Sequence, residues 1–138
     1  MPATTEKPES SFHSRCLLCG NLNPKSLGLS FTALENGEVA TSYRAPDELQ
    51  GYDGILHGGI IASLLDAAMT HCLFHRGVRA LTGDLQIRFL QPVPCGVPLE
   101  LRARVLSSRP PLYRLESELI LNDGVVARAR ARFMNYKR

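Results

Sequence analysis

The feature that most restricts the fold is a single long apolar run, Ile55 to Leu73, in a chain whose other patterned segments all read as strands. The run carries Asp66, His57, His71 and the pair Gly58-Gly59, which is too polar for a membrane span and suits a buried helix. Glycine punctuation predicts that the helix begins near His57-Gly58-Gly59 and ends about His75, before Gly77. At helical spacing, Ile60, Ile61, Leu64, Leu65, Ala68 and Cys72 form a broad apolar stripe. The opposite side holds Gly59, Ala62, Ser63, Asp66 and Thr70, nearly all small. A lone helix this apolar cannot face water, so it must lie across the concave face of a curled sheet. Its small-residue side lets a second backbone or a ligand come close, with Asp66 in the middle.

The sheet is legible on both sides of that helix. Leu27 to Leu34 alternates and meets Asn36-Gly37, a hairpin signal, with Val39 to Arg44 as the return strand. Pro46 to Gly54 reads as a loop. Beyond the helix come four strands, Ala80 to Gln91, Pro98 to Ser108, Tyr113 to Asn122 and Val125 to Tyr136. The tight turn at Asn122-Asp-Gly124 makes the last two antiparallel neighbours. The expected class is therefore α+β, one long central helix wrapped by about six antiparallel strands.

With 138 residues, 44% hydrophobic and 21% charged, the chain is expected to hold one globular domain, residues 16–138. A polar, proline-bearing tail over residues 1–15 precedes it. A net charge of +3, no Trp and only nine aromatics argue against a nucleic-acid binder. The N-terminus has no apolar core and so lacks the marks of a secretory signal or transit peptide. Four cysteines in that context point to reduced thiols in a cytoplasm.

Two groups on the helix carry chemistry. Asp66 is the sole acid between Asp53 and Asp84, with no Lys or Arg in the neighbouring turns. A buried carboxylate without a cationic partner is costly, and such groups are candidate bases or nucleophiles; the bland reading is a solvated surface acid. His57-Gly58-Gly59 opens the helix, where free N–H groups and the positive dipole end suit an oxyanion; the bland reading is simple capping. Gly58 and Asp66 are eight residues apart, about 12 Å along one helix. A base and an oxyanion donor serving one carbonyl must each approach it to about 3–3.5 Å. Two antiparallel helices related by a two-fold axis meet that demand, one chain's Gly58 lying beside the other's Asp66.

The run from Leu49 to Met69, containing Gln50-Gly-Tyr-Asp-Gly54 and His57-Gly-Gly59 with Asp66 nine residues after the histidine, resembles the hotdog-fold acyl-CoA thioesterases of the phenylacetate-pathway (PaaI-like) type. The resemblance continues through Leu81 to Pro94 and reaches back to Cys16-Leu-Leu-Cys-Gly20 and Asn23 to Leu29, covering about residues 16 to 136. It implies a homodimer or dimer of dimers with sites at the dimer interface. By position it makes Asp66 the acid that activates water or attacks the thioester, and Gly58 the oxyanion donor, with Gly59 beside it. It makes His57 the histidine that shapes this turn, and Thr82 a residue that helps hold the attacking water. Thr82 also reads as an ordinary β-branched strand residue. Many members carry Asn or Gln six residues before the histidine. Here Gly51 stands there with Gln50 beside it, which displaces that carbonyl-orienting amide; Gln50, Gly59, Ser63 and Arg88 are the expected substrate contacts.

The resulting expectation is hydrolysis of an acyl-CoA to a free acid and coenzyme A, without metal, redox cofactor, nucleic acid or membrane. The acyl group is expected along Ala62, Ser63 and Thr70. Arg88, or some of Arg128, Arg130 and Arg132, is expected to meet the coenzyme A phosphates. The alternative is a non-catalytic acyl-CoA-binding or regulatory protein on the same fold; enoyl-CoA hydration lacks a clear His–Asp pair. Cys16 and Cys19 have metal-ligand spacing but no second pair, so a packed turn is expected there. His71 is expected to be a satisfied core residue.

Overall fold

The computed structural model describes residues 12–136. Strands β1 (Thr32–Ala33) and β2 (Val39–Arg44) precede helix α1 (Gly58–Phe74). Strands β3 (Ala80–Phe89), β4 (Pro98–Arg109), β5 (Leu112–Leu121) and β6 (Gly124–Asn135) follow it. They form one antiparallel sheet in the order β1-β2-β4-β5-β6-β3. The expected hotdog arrangement is present, a single helix wrapped by six strands. Because β2 enters near one edge and β3 leaves at the other, α1 must cross the sheet between them.

Strand alternation explains which face α1 covers. Leu101, Ala103, Leu115, Ser117, Ala129, Ala131 and Phe133 are buried, while Arg102, Arg104, Glu116, Glu118, Arg128 and Arg130 occupy the alternate positions. On the outer face Arg104 pairs with Glu116, Arg130 with Glu116 at 3.3 Å, and Arg102 with Glu100 at 2.6 Å. Such partly exposed pairs contribute little each, so their chief effect is to keep this face in water. On the inner face Leu64, Leu65, Met69, Phe31 and Leu119 lose all contact with solvent. The hydroxyl of Ser117, also buried, donates to the Leu65 carbonyl at 2.9 Å, so a polar group in the core is satisfied. His71 is 1% exposed and stacks on Phe31 with centroids 4.8 Å apart, which places its ring in the core.

The predicted turns form where their residues allow. Asn122 and Asp123 both adopt positive φ, 50° and 67°, the conformation a two-residue hairpin turn requires. At the first hairpin, Asn36 Oδ1 accepts from the Glu38 N–H at 3.0 Å and Gly37 takes φ 88°. The first strand, however, is far shorter than the alternating run Leu27 to Leu34. The N–H groups of Leu27 and Leu29 bond instead to the carbonyls of Leu17 and Leu18, and Gly28 breaks the extended path at φ 71°. Alternation gave no sign of this competing partner within the chain.

The leader also begins earlier than residue 16. The His13 and Phe74 rings meet in a T-shaped contact with centroids 4.8 Å apart, and the Leu22 N–H bonds to the Ser14 carbonyl at 2.8 Å. The part of the expected tail at residues 12–15 is therefore folded onto α1, while residues 1–11 lie outside the described residues. Among the described residues, no helix is long and apolar enough to cross a membrane.

Candidate active site

The start of α1 is built by its own sequence. His57 caps the helix in an extended conformation (φ −62°, ψ 134°), and its Nδ1 accepts from the Gly59 N–H at 2.8 Å. Its carbonyl takes the N–H groups of Ile60 and Ile61. The Gly58 N–H is left without a partner among the described residues, at the positive end of the helix dipole. A Cβ at position 59 would lie 3.1 Å from His57 Nδ1, so a side chain there would push on the capping ring. The two glycines thus divide the work: Gly59 admits the capping ring, and Gly58 presents an open donor. The Gly59 N–H is taken by His57, so within one chain Gly58 carries the open donor of this turn.

The preceding loop lies against this tip. Gln50 Oε1 accepts from the Gly54 N–H at 2.7 Å, closing its own loop, so it does not reach outward as expected for a substrate contact. A Cβ on Gly51 would sit 3.5 Å from the His57 ring, in ordinary contact, so a side chain at position 51 would lie beside the helix tip. Gly51, Tyr52, Ile55, Leu56, His57 and Gly58 line a cleft of about 390 Å³ there.

Asp66 lies two turns further on and is half-buried. The Thr82 hydroxyl donates to Asp66 Oδ1 at 2.6 Å, and no other hydrogen bond among the described residues reaches the carboxylate. A bulge produces this contact. Thr82 pairs with Phe133 and Asp84 with Arg132, so Gly83 is an extra residue that turns the strand. Burial pushes the Asp66 carboxyl above its ordinary range, opposed by the Thr82 hydrogen bond and by nearby His13. A partly desolvated carboxylate of raised basicity, held by one oxygen, leaves the other free to accept a proton.

Ser63 and Thr70 flank the acid, but their hydroxyls donate to the helix carbonyls of Gly59 (2.9 Å) and Asp66 (3.1 Å). They shape a cavity of about 120 Å³ in which His13, Cys16 and Cys19 form much of the opposite wall. The small-residue face of α1 is thus covered in part by the chain's own leader. Sequence reasoning missed His13, whose spacing of three from Cys16, and of three again to Cys19, was the available signal. Arg88 faces away from α1 on the outer side of the sheet, opposite Arg128 in the register. With Gln86 and Arg130 these arginines line a concavity of about 570 Å³, separate from Asp66. The structure therefore assembles two groups, Asp66 with Thr82 and Ser63, and Gly58 with His57. One unbroken helix holds the two groups apart.

The sequence model of the thioesterase superfamily matches residues 53–132, more than half of the chain and all of α1. The chain belongs to the thioesterase superfamily. The superfamily match includes the helix tip, Asp66 and Thr82. Among relatives, the acyl-coenzyme A thioesterase THEM4 of Bos taurus is 33% identical over 75 residues, 51% of this chain and 30% of that one. The chain spans about half or less of the length of the curated relatives it matches. A phenylacetic acid degradation-related protein of Ralstonia eutropha JMP134 superposes with a TM-score of 0.74 at 25% identity, over 90% of this chain and 97% of that one. The smu.793 protein of Streptococcus mutans UA159, solved bound to acetyl CoA, shares the fold with a TM-score of 0.72 at 21% identity, over 78% and 88% of the chains. PaaI-like thioesterases thus stand among this superfamily member's structural neighbours.

Proposed function

We propose that this protein hydrolyses an acyl-CoA thioester, using Asp66 of one protomer and the Gly58 N–H of its partner. The observation that carries the reading is Asp66 itself: half-buried, raised in pKa by that burial, its carboxylate hydrogen-bonded among the described residues only to Thr82, and lining a cavity. Asp66 takes a proton from water as the water oxygen attacks the thioester carbonyl carbon. Negative charge gathers on the carbonyl oxygen and meets the Gly58 N–H. The C–S bond then breaks, and coenzyme A leaves as a thiol after taking a proton. Direct attack by the carboxylate, followed by hydrolysis of the anhydride, uses the same residues.

The shared site is supported by the roughly 12 Å between Gly58 and Asp66 along one helix. It is supported too by the free edge of β3, where Leu81 and Phe89 are 58% and 54% exposed. We place coenzyme A across that seam in a homodimer or a dimer of dimers, with Arg88 or Arg128 near its phosphates. Four cysteines without disulfides accord with a reducing cytoplasm.

Thiol release from a panel of acyl-CoAs tests the reading. Asp66→Asn is expected to reduce turnover at least ~100-fold, the scale of lost acid–base catalysis, while leaving the assembly intact. One observation favours a second reading, an acyl-CoA binder without turnover. Gln50 is tied to Gly54 and position 51 has no side chain, so an amide to orient the carbonyl is missing. A binder would saturate with acyl-CoA and release no thiol.

A further inference from the structure

The leader holds a group of side chains that hydrolysis does not use. His13, Cys16 and Cys19 each offer one ligand atom, and the three atoms lie within 4.8 Å of one another. His13 Nδ1 and Cys19 Sγ are 3.5 Å apart. Tetrahedral zinc with bonds of about 2.3 Å to sulfur and 2.0–2.1 Å to nitrogen sets such a pair about 3.5–3.6 Å apart. The cluster therefore has the spacing of two ligands on one zinc ion before any ion is bound.

The backbone around it has the form of a thiolate knuckle. The Leu18 N–H donates to Cys16 Sγ at 3.3 Å, a backbone contact that fixes the direction of the sulfur. The chain then folds back so closely that a Cβ on Gly20 would lie 2.4 Å from the Cys16 nitrogen and 2.5 Å from the Ser14 carbonyl oxygen. Only glycine fits that position. The motif His13-x-x-Cys16-x-x-Cys19-Gly20 is thus one compact turn with all three donors gathered on one side. All three side chains are partly buried, as a metal centre shielded from bulk water requires. A hydrogen-bonded turn alone explains the His13–Cys19 contact, but it does not explain why both sulfurs and the imidazole converge.

We infer that His13, Cys16 and Cys19 bind one zinc-class divalent cation, with the fourth tetrahedral position opening on the cavity that Asp66, Ser63 and Thr70 also line. Two thiolates and an imidazole select a borderline-soft ion over magnesium or calcium. Three protein ligands and one open position leave room for water or another exogenous ligand. Bound there, the ion pins the leader across the small-residue face of α1. The site shares that cavity with Asp66, but its occupancy is read by metal binding alone, whether or not the protein hydrolyses a thioester.

Cobalt(II) is the probe, because a tetrahedral cobalt–thiolate centre absorbs visibly and a zinc centre does not. Chelator-stripped protein titrated with Co²⁺ is expected to saturate at one ion per chain. Thiolate-to-cobalt charge-transfer absorption should accompany binding, and added Zn²⁺ should abolish it. Cys16→Ser and Cys19→Ser are each expected to weaken Co²⁺ binding at least ~100-fold, beyond the 10–100-fold typical of losing an outer-shell partner. Cys95→Ser, outside the cluster, should leave it unchanged. Absence of the charge-transfer band in folded wild-type protein would overturn the assignment. So would a band that survives in the Cys16→Ser/Cys19→Ser double variant. Far-ultraviolet circular dichroism of every variant separates loss of the ligands from loss of the fold.

Discussion

Gly58→Pro is the sharpest test of the oxyanion donor, because it deletes one N–H and leaves the helix intact. Gly58 is the first residue of α1, a position where proline is favoured since its N–H is not used within the helix. The preceding residue must be extended, and His57 already is, at ψ 134°. A Cβ at position 58 would meet only the Phe89 ring, at 3.7 Å, an ordinary contact. Stability should therefore hold, or rise by about 0.4–1 kcal/mol through the stiffer unfolded chain. Catalysis should not hold. Losing one oxyanion donor costs about 2.7–4 kcal/mol of transition-state stabilisation, or about 10²–10³ in kcat. The assay is continuous thiol release on the best acyl-CoA, beside a thermal melt and sizing of the assembly. Gly58→Ala, which keeps the N–H and adds a methyl against Phe89, is the control and should lose far less. A Gly58→Pro protein that melts like wild type and turns over like it would refute the oxyanion role.

Three further outcomes follow from the same geometry. Thr82→Val removes the bond that favours ionised Asp66 and leaves burial unopposed by it, so the acid limb of the kcat/KM profile moves to higher pH. A hydrogen bond to a charged group contributes about 1.5–3 kcal/mol; with Thr82 exposed the lower end applies, about a tenfold loss below the limb, which Thr82→Ser should restore. Asp66 has a folded pKa above its unfolded one, so its contribution to stability is present at low pH and is lost as pH rises through the folded value. Asp66→Asn should therefore melt no lower than wild type at neutral pH, with its relative advantage vanishing in acid; a markedly lower melting temperature at neutral pH would contradict a strained functional acid. Gly59→Ala crowds the capping ring at 3.1 Å and should cost about 0.5–2 kcal/mol of stability, the scale of a lost N-cap, read in a chemical melt.

Much of the candidate site is legible in the order of residues because its parts are local. Asp66 sits among small residues at helical spacing, and His57-Gly58-Gly59 marks a helix start by residue type alone. The parts that are not legible depend on partners the fold supplies. Thr82 reaches Asp66 because Gly83 bulges the edge strand; a lone glycine inside a strand can mark such a bulge, but not which residue across the fold the re-aimed side chain will meet. Gln50 was expected to face a substrate, but a nearer partner, the Gly54 N–H, took its side chain. His13 carried only its spacing from Cys16 and Cys19 as a signal, and it stands in a polar segment that reads as tail until the Phe74 and Cys19 side chains are placed beside it.

Periodicity alone determined that this chain makes one buried helix and an antiparallel sheet, since burying an apolar stripe and alternating strands admits few packings. It determined also which helix face is apolar and where the acid falls on the other. The tertiary structure alone decided what covers that other face. Leu27 and Leu29 pair with Leu17 and Leu18 rather than extending the first strand, and this draws the cysteine turn over α1 beside Asp66. A hydrogen-bond donor takes whichever acceptor the fold brings nearest, and that choice is not written in the periodicity of either partner.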